Sequence, residues 1–302
     1  MGKIPVLVLA FNRADHVAHA MKAIREYRPA RLYLACDGPR AHKDGDKDAV
    51  EETRKTMVEA VDWPCQVRTL FREHNLGCAQ AVYGAVTWFF QNEEFGIICE
   101  DDIVLGIDFF RLCEDLLPRY AGEERIMEIS SQNRSHRTDI PDSYVYSYRE
   151  NCWGWASWAR AWKKMDMTMS AVPKLTYRKL WKRYEFIEGI IRMHYWKSSY
   201  KHIETSKSWA TRWNLCIQVN EGLTITPGVN LSKNIGIDGG AHYKEGDVDP
   251  YADLQIGHLK WPLLYNDTMI IDKKQARMDY NDFMRLRRNG IKKKLKKLFR
   301  VK

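Results

Sequence analysis

Three consecutive carboxylates end an apolar segment in the stretch from residue 95 to 106, which reads FGIICEDDIVLG. Glu100, Asp101 and Asp102 stand where a strand-like run stops, and carboxylates this close repel one another unless a cation or a donor compensates them. Mg2+ and Mn2+ favour oxygen ligands and keep positions open for phosphate, so such acids are suited to hold a metal against a diphosphate. In the alternative interpretation, the acids lie in a solvated loop or cap the next helix.

Three more polar residues follow apolar runs in the same manner. Arg13 comes after the run from 4 to 11, Asp37 after LYLAC and Arg72 after QVRTLF. In open α/β sheets the carboxyl ends of parallel strands meet at one edge, where ligands bind, so we expect these residues beside the acidic triplet. A cation at Arg72 suits a nucleotide base or phosphate, although it could also pair on the surface. Asp37, in Asp-Gly-Pro, could instead cap a turn.

Strand-like and helix-like segments alternate through the first 130 residues and must position these side chains. Apolar runs of strand length lie at 4–11, 31–36, 65–71 and 95–100, and segments with helical spacing lie between them, at 14–24, 48–61 and 75–92. This alternation predicts βαβ units, and the continuous apolar runs are typical of strands buried on both faces. We therefore expect an α/β fold with a mostly parallel central sheet flanked by helices.

The second half of the sequence is less regular and rich in tryptophan. Four tryptophans lie in CWGWASWARAW, helices are expected within 174–201, and 206–243 is expected to hold a helix, a short strand and a Gly-rich loop. We expect Trp153 and Trp155 to lie in a loop and to contact sugar, because sugar rings present apolar faces to aromatic rings; core packing is the alternative. His242, after two glycines, is a candidate metal or phosphate ligand, with a structural role as the alternative.

The positive charge of the chain is concentrated at its C-terminal end. The formal net charge is +9, but residues 285–302 hold ten Lys and Arg and no acid, so the rest is near neutral. In that tail, apolar residues recur at 291, 295, 298 and 299, which predicts a basic amphipathic helix at an anionic membrane surface; a disordered tail is the alternative. No aromatic stacking platform accompanies the charge, which argues against nucleic acid as a partner.

Other local patterns narrow the class further. No P-loop and no strand-linked GxGxxG occurs, which disfavours P-loop and dinucleotide enzymes. The acidic stretch 44–48 lacks the glycine and glutamate of a calcium loop, so we expect it to be solvated. The N-terminal apolar run is too short for a signal peptide, and no apolar run is long enough to span a membrane, so we expect a cytoplasmic protein, peripheral on the inner face of the cell membrane.

The order of these motifs resembles the GT-A fold glycosyltransferases, specifically bacterial relatives of the N-acetylglucosaminyltransferase I type. The matching stretches, which span residues 4–243, are PVLVLAFNR, LYLACDGPR, FREHNLGCAQAV, IICEDDIVL, CWGWASWARAW, SWATRW and NLSKNIGIDGGAH. The resemblance implies a GT-A (Rossmann-like) domain over 1–270, with a nucleotide-binding half (1–130), an acceptor-side half (131–270) and a basic tail (271–302). It also implies Mn2+ or Mg2+ as cofactor.

The resemblance further assigns roles to individual residues. Arg13, Asp37 and Arg72 would hold the nucleotide, with Asp37 facing the base. Asp102 would ligate the metal, Glu100 and Asp101 would meet sugar and ribose, and His242 would lie near the diphosphate. The candidate sugar or acceptor contacts are Trp153, Trp155, Trp209 and Arg212.

One departure from the family concerns the catalytic base. The animal relatives carry an acidic pair between the two tryptophans that correspond to Trp209 and Trp213, whereas this sequence has Ala210 and Thr211. The nearest candidate bases are Glu204 and Asp238.

The expected function is metal-dependent transfer of a sugar from a nucleotide-diphospho-sugar, with UDP-sugar favoured, to a saccharide or lipid-linked acceptor in bacterial cell-surface glycan synthesis, with inversion. Two alternatives stay open. One is a nucleotidyltransferase acting on sugar phosphates, for which a Gly-rich phosphate loop would be expected after the first strand. The other is a non-catalytic member that binds glycan or nucleotide-sugar.

Overall fold

The computed structural model describes residues 2–135, 137–236, 251 and 254–285. The strands of the main sheet are β1 Val6–Ala10, β2 Arg31–Cys36, β3 Gln66–Phe71, β4 Phe95–Glu100, β6 Ile126–Ser130, β7 Tyr144–Ser147, β8 Trp155–Trp158 and β9 Leu223–Pro227. Two short strands, β5 Ile103–Leu105 and β10 Ser232–Asn234, pair with each other in a second sheet. The helices are α1 Ala14–Tyr27, α2 Asp46–Glu59, α3 Cys78–Phe90, α4 Ile107–Arg119, α5 Ala159–Trp162, α6 Tyr177–Trp181, α7 Phe186–Lys201 and α8 Ala210–Val219, with a 3-10 turn at Val172–Lys174.

The main sheet has the order β3-β2-β1-β4-β8-β6-β9-β7. Its first four strands are parallel, as the alternation of strand-like and helix-like segments predicts. Strand β8 runs antiparallel to both of its neighbours and joins this half to β6, while β6 and β9 are parallel. The predicted α/β fold, with a large and mostly parallel central sheet flanked by helices, is confirmed.

Two apolar layers cover the faces of the sheet. Along β1, Val6 and Val8 face the layer that holds α1, α2 and α4, whereas Leu7 and Leu9 face the layer that holds α3, α5 and α8. Successive residues of a strand point to opposite faces, so both layers can be filled from one continuous apolar run. Burying each such side chain contributes roughly 1.5–3 kcal/mol, which fixes the strand ends where the polar residues emerge.

The segment from 271 onwards is not a free tail throughout. A helix runs from 273 through 285, where the described part of the chain ends. Asp279 accepts a hydrogen bond from Ser147 on β7, and Asp282 pairs with Arg149 at 2.5 Å, so this helix belongs to the domain. The predicted boundary at 270 is therefore too early, and the basic stretch 286–302 lies outside the described residues. Among the described helices, none is long and apolar enough to span a bilayer.

Candidate functional site

The polar residues that end the first four strands lie along one edge of the sheet. Ala10 of β1 pairs with Cys36 of β2, Cys36 pairs with Phe71 of β3, and Leu9 pairs with Glu100 of β4. Asp37, Arg72 and Asp101 directly follow β2, β3 and β4, and Arg13 comes shortly after the end of β1. The structure thus brings Arg13, Asp37, Arg72 and the acidic triplet to the same edge, where parallel sheets bind ligands.

The acidic triplet is half-buried. The backbone N–H of Phe11 donates to Asp101 Oδ2 at 3.4 Å. Burial first, and then the neighbouring carboxylates, raise the pKa of Glu100 to about 8, against a hydrogen bond from the Trp209 side chain. The same causes raise the pKa of Asp101 to about 7, although Arg13 opposes them. The raised pKa values reflect three carboxyl groups crowded together at the end of β4.

Asp102 lies between a cation and a glycine backbone. Arg13 Nη1 is 3.4 Å from Asp102 Oδ2, and the other end of the guanidinium is 2.7 Å from His16 Nε2. On the opposite side, Ile235 N donates to the backbone oxygen of Asp102 at 2.8 Å, and a Cβ placed on Gly236 would lie 2.2 Å from Oδ2. The glycine therefore leaves room at the carboxylate that any side chain would fill. The predicted ligand His242 and the candidate base Asp238 follow Gly236 but lie outside the described residues.

Asp37 is nearly buried and holds the loop that begins α3. Its carboxylate accepts hydrogen bonds from the backbone N–H groups of Gly38 (2.9 Å), Leu76 (3.0 Å) and Gly77 (3.0 Å) and from Asn75 Nδ2 (2.9 Å). Four donors occupy the lone pairs of the two oxygens. Asp37 thus shapes the edge of the site through the Asn75–Gly77 loop, and a direct contact with a nucleotide base stays a prediction.

Arg72 extends from the end of β3 to the middle of α3. Its Nη2 lies 2.6 Å from where a Cβ on Gly84 would be, so the guanidinium packs against the helix backbone at a residue without a side chain. Within the described residues, this guanidinium donates to no carboxylate or carbonyl, and it lines a small cleft together with Asp37, Ala81 and Ala85. A half-buried cation placed in this manner suits an anionic or aromatic ligand.

The acidic stretch at 44–48 is not fully solvated, which corrects the expectation from sequence. Asp46 is 2% exposed and begins α2. Its carboxylate accepts from Arg40 at 2.6 Å and from Asn12 at 2.7 Å, and these bonds hold the pKa of Asp46 well below its usual range. The network fixes the residue that precedes Arg13 in the chain.

The Trp-rich segment forms a core strand rather than a loop, so the expected sugar contact at Trp155 is wrong. Trp155 has no exposed surface and packs against Trp209 (centroids 5.5 Å apart), Trp162 and Trp213. A ring enclosed on all sides cannot stack on a sugar. Trp209 is 3% exposed, and its side chain lies close enough to Glu100 to oppose the rise of that carboxyl's pKa.

Arg212 and Glu204 also differ from their expected roles. Arg212 is 6% exposed, and its guanidinium donates to the carbonyls of Met167 (2.9 Å), Ser208 (2.5 Å) and Ile203 (2.8 Å). It therefore stabilises the turn before α8 instead of facing an acceptor. Glu204 lies exposed in that turn, and no described residue orients its carboxylate.

Trp153 has a partly exposed ring, and its predicted sugar contact stays a prediction. It is half-buried, with the Arg134 guanidinium 4.4 Å above its ring and Tyr251 edge-on at 5.6 Å. The hydroxyls of Ser131 and Ser232 donate to its backbone oxygen, at 2.7 and 3.2 Å, which fixes the turn that leads into β8. Of the predicted aromatic contacts, Trp153 alone combines a fixed backbone with a partly exposed ring.

Sequence reasoning missed two acids near this turn, one buried and one half-buried. Glu128 on β6 has no exposed surface, accepts from Asn151 N (2.9 Å) and Trp213 Nε1 (2.7 Å), and has a pKa raised to about 8, chiefly by burial. Glu150 is half-buried and accepts from Asn214 Nδ2 on α8. Its pKa is raised to about 7 by burial, although nearby arginines oppose the shift. The one available signal was an acid directly before the Trp-rich stretch.

No group of three or more His, Cys, Asp or Glu side chains converges into a metal site among the described residues. That result does not conflict with the chemistry of Mg2+ or Mn2+ at a nucleotide. Such ions are commonly held by one or two carboxylates, with the other oxygens supplied by phosphates and water. Asp102, left accessible beside Gly236, fits a site of that kind.

Comparisons with known proteins give only distant similarities. No protein-family model matches the chain, and no curated protein sequence matches it. HddC from Yersinia pseudotuberculosis is 12% identical, covering 57% of this chain and 87% of its own, with a TM-score of 0.34. A cytidylyltransferase from Leptospira borgpetersenii is 13% identical, covering 68% and 74%, with a TM-score of 0.33. Mouse xyloside xylosyltransferase 1 is 8% identical, covering 72% and 81%, with a TM-score of 0.36. At such scores the similarity carries no argument about function, which must come from the side chains.

Proposed function

We propose that this protein is a glycosyltransferase that moves a sugar from a nucleotide-diphospho-sugar to a saccharide acceptor with the help of Mn2+ or Mg2+. The observation that supports it best is the acidic triplet at the carboxyl end of β4, with Asp102 accessible between Arg13 and Gly236. A diphosphate brings further negative charge to an acidic edge, so a divalent cation is needed to join the two.

Each residue of the edge has a distinct part in this proposal. Asp102 would hold the cation, which when bound would neutralise charge on the departing diphosphate. Glu100 and Asp101 would bond sugar and ribose hydroxyls. Arg13 and Arg72 would contact the nucleotide, Arg72 from the cleft beside α3, where it has no polar partner among the described residues.

The acceptor side is proposed on fewer contacts. Trp153, which has a fixed backbone and carries Arg134 over its ring, would offer the exposed part of that ring to a saccharide. We further propose that the acceptor is a lipid-linked or other cell-surface glycan, and that residues 285–302 place the enzyme on the inner face of the membrane. The support for the membrane contact is the ten basic residues of that stretch. Transfer would proceed with inversion, by direct attack of an acceptor hydroxyl.

Nucleotidyl transfer is the alternative reaction for a site of this kind. It would consume a nucleoside triphosphate and release pyrophosphate, whereas glycosyl transfer releases a nucleoside diphosphate. The chain passes from β1 to α1 through Phe11, Asn12 and Arg13 with no glycine, which favours the glycosyltransferase. A non-catalytic binder would bind the donor and release neither product.

The experiment is a panel of nucleotide-diphospho-sugars with Mn2+, in which binding is followed by the shift in melting temperature and products by chromatography. Asp102→Asn should lose Mn2+-dependent binding of the best donor. Asp44→Asn, at an exposed turn outside the site, is the matched control and should behave like the wild type. The proposal would be overturned if pyrophosphate is the product. It would also be overturned if donor affinity is the same with and without Mn2+ and in wild type and Asp102→Asn.

A further inference from the structure

Glu150 is a half-buried carboxylate without an ion pair. Asn214 Nδ2 donates to its Oε2, and no Lys, Arg or His nitrogen of the described residues lies within 4.0 Å of it. The three nearest arginines are committed to other acceptors: Arg149 to Asp282, Arg192 to Glu188 and Arg134 to Gln132. Asn214 thus orients the carboxylate, and among the described residues no other side chain donates a hydrogen bond to it.

Glu150 stands close to the acidic triplet although fifty residues separate them in sequence. Helix α8 passes both, because Trp209 at its N-terminus lies close enough to Glu100 to lower the pKa of that carboxyl, and Asn214 bonds Glu150.

The pairing of β4 with β8 places Glu150 at the same edge. The ladder ends with Ile98 opposite Trp155, so the chain just before β8 passes the carboxyl end of β4. Cys152 lies in that passage, and its thiol pKa is raised by burial and then by both Glu100 and Glu150. The half-exposed Trp153 ring is in the same turn.

We propose that Glu150 is the general base of the transfer reaction, an inference that rests on the proposed function. One oxygen of its carboxylate takes the proton of the acceptor hydroxyl. At the same time the acceptor oxygen forms a bond to the anomeric carbon of the donor sugar. The bond from that carbon to the diphosphate oxygen breaks, and its electron pair leaves with the nucleoside diphosphate. The proton passes from Glu150 to water after the products separate.

The electrostatic surroundings of Glu150 agree with this role. Burial raises its pKa to about 7, and a base works best when its pKa lies near the working pH. The charged and titratable groups that face it come from four parts of the fold: Glu128 on β6, Arg134 in the loop after β6, Arg192 and Tyr195 on α7, and Arg149 and Cys152 beside it in the chain.

The test compares Glu150→Gln with two other variants in the full-length protein, using the donor that the wild type turns over. Glu150→Gln keeps the shape and the bond to Asn214, so we expect donor affinity within twofold of wild type and kcat lowered about 10²–10⁴-fold. The rise of kcat/KM between pH 6 and 8 should disappear, and Glu150→Asp should restore part of the rate. Glu185→Gln, an exposed acid at the start of α7, is the control and should keep the wild-type rate.

Failure of this inference can be told apart from failure of the proposed function. If the wild type neither binds a nucleotide-sugar nor transfers a sugar, the proposed function is wrong. If the wild type transfers sugar and Glu150→Gln keeps more than a third of kcat, Glu150 is not the base. Loss of transfer in Glu204→Gln with Glu150→Gln active would give the role to Glu204.

Discussion

Replacing Asp37 by asparagine should destabilise the whole domain through a single loop. The carboxylate accepts from the N–H groups of Gly38, Leu76 and Gly77 and from the side chain of Asn75. An asparagine has the same shape but one acceptor oxygen, so at most two of these bonds persist. Its new N–H2 group would face donors, which adds repulsion to the loss.

The expected size follows from the number of bonds lost. Hydrogen bonds to a charged acceptor contribute about 1.5–3 kcal/mol each, so losing two at the lower end costs about 3 kcal/mol. In a domain of this size that corresponds to a fall in melting temperature of roughly 6–10 °C. Calorimetry gives the melting temperature, and hydrogen exchange should show faster exchange at the amides of Leu76 and Gly77.

Asp44→Asn is the matched control, since Asp44 lies exposed on a turn and its side chain makes no hydrogen bond to another described residue. We expect its free energy of unfolding within 0.5 kcal/mol of wild type, as is usual for surface changes (about ±0.5 kcal/mol). A melting temperature of Asp37→Asn within about 1 °C of wild type, combined with lost donor binding, would refute the reasoning. Asp37 would then bind the ligand instead of stabilising the loop.

Three further predictions use other parts of the site. Glu128→Gln removes a carboxyl whose pKa is raised from 4.5 to about 8. As pH rises from 5 to 8, the wild type should therefore lose stability relative to the variant, by about 1.4 kcal/mol per pH unit in urea unfolding. Gly84→Ala should raise the free energy of unfolding by roughly 0.5–1 kcal/mol, as expected inside a helix, yet weaken donor binding several-fold because the methyl group displaces the Arg72 guanidinium. Gly236→Ala places a Cβ 2.2 Å from Asp102 Oδ2 and should lower Mn2+-dependent donor affinity at least tenfold in titration calorimetry.

Controls and contrary outcomes separate these effects. Gly122→Ala adds a methyl group with no atom within 4 Å, so it should change neither stability nor donor affinity measurably. A constant difference in stability between wild type and Glu128→Gln from pH 5 to 8 would show that this carboxyl does not hold the proton. Wild-type donor affinity in Gly236→Ala would mean that Asp102 does not contact the metal or the donor, and full affinity in Gly84→Ala would remove Arg72 from the donor site.

The sheet was predictable where strand signals are local. Strands β1, β2, β3 and β4 are apolar runs bounded by charged or glycine residues, and the sequence indicates each of them. Strand β8 was missed because WASW reads equally well as an aromatic loop. Its place depends on pairing with β4 and β6, which are distant in the sequence.

Part of the site was predictable from one rule, that the residues following parallel strands meet at one edge of the sheet. That rule brought Arg13, Asp37 and Arg72 to the acidic triplet without knowledge of the packing. Trp155 and Arg212 were wrong because the same residue types serve a core and a ligand site, and only burial distinguishes the two.

The surroundings of Glu150 could not be predicted from the sequence. Its surroundings come from Asn214, Glu128 and Arg192, which lie far from it along the chain. The raised pKa and the orientation of its carboxylate are therefore products of the fold. Its position directly before the Trp-rich stretch was the one local signal, and that signal carries no information on orientation or pKa.

Calorimetric titration of the preferred nucleotide-diphospho-sugar into wild type and Asp102→Asn, each with and without Mn2+, tests the central claim most directly. We predict that wild type binds the donor at least tenfold more tightly with Mn2+ than without it. In Asp102→Asn this difference should vanish, while the melting temperature of the free protein stays near that of wild type. Equal Mn2+-dependent binding by both proteins would contradict the assignment of the acidic triplet as the donor site.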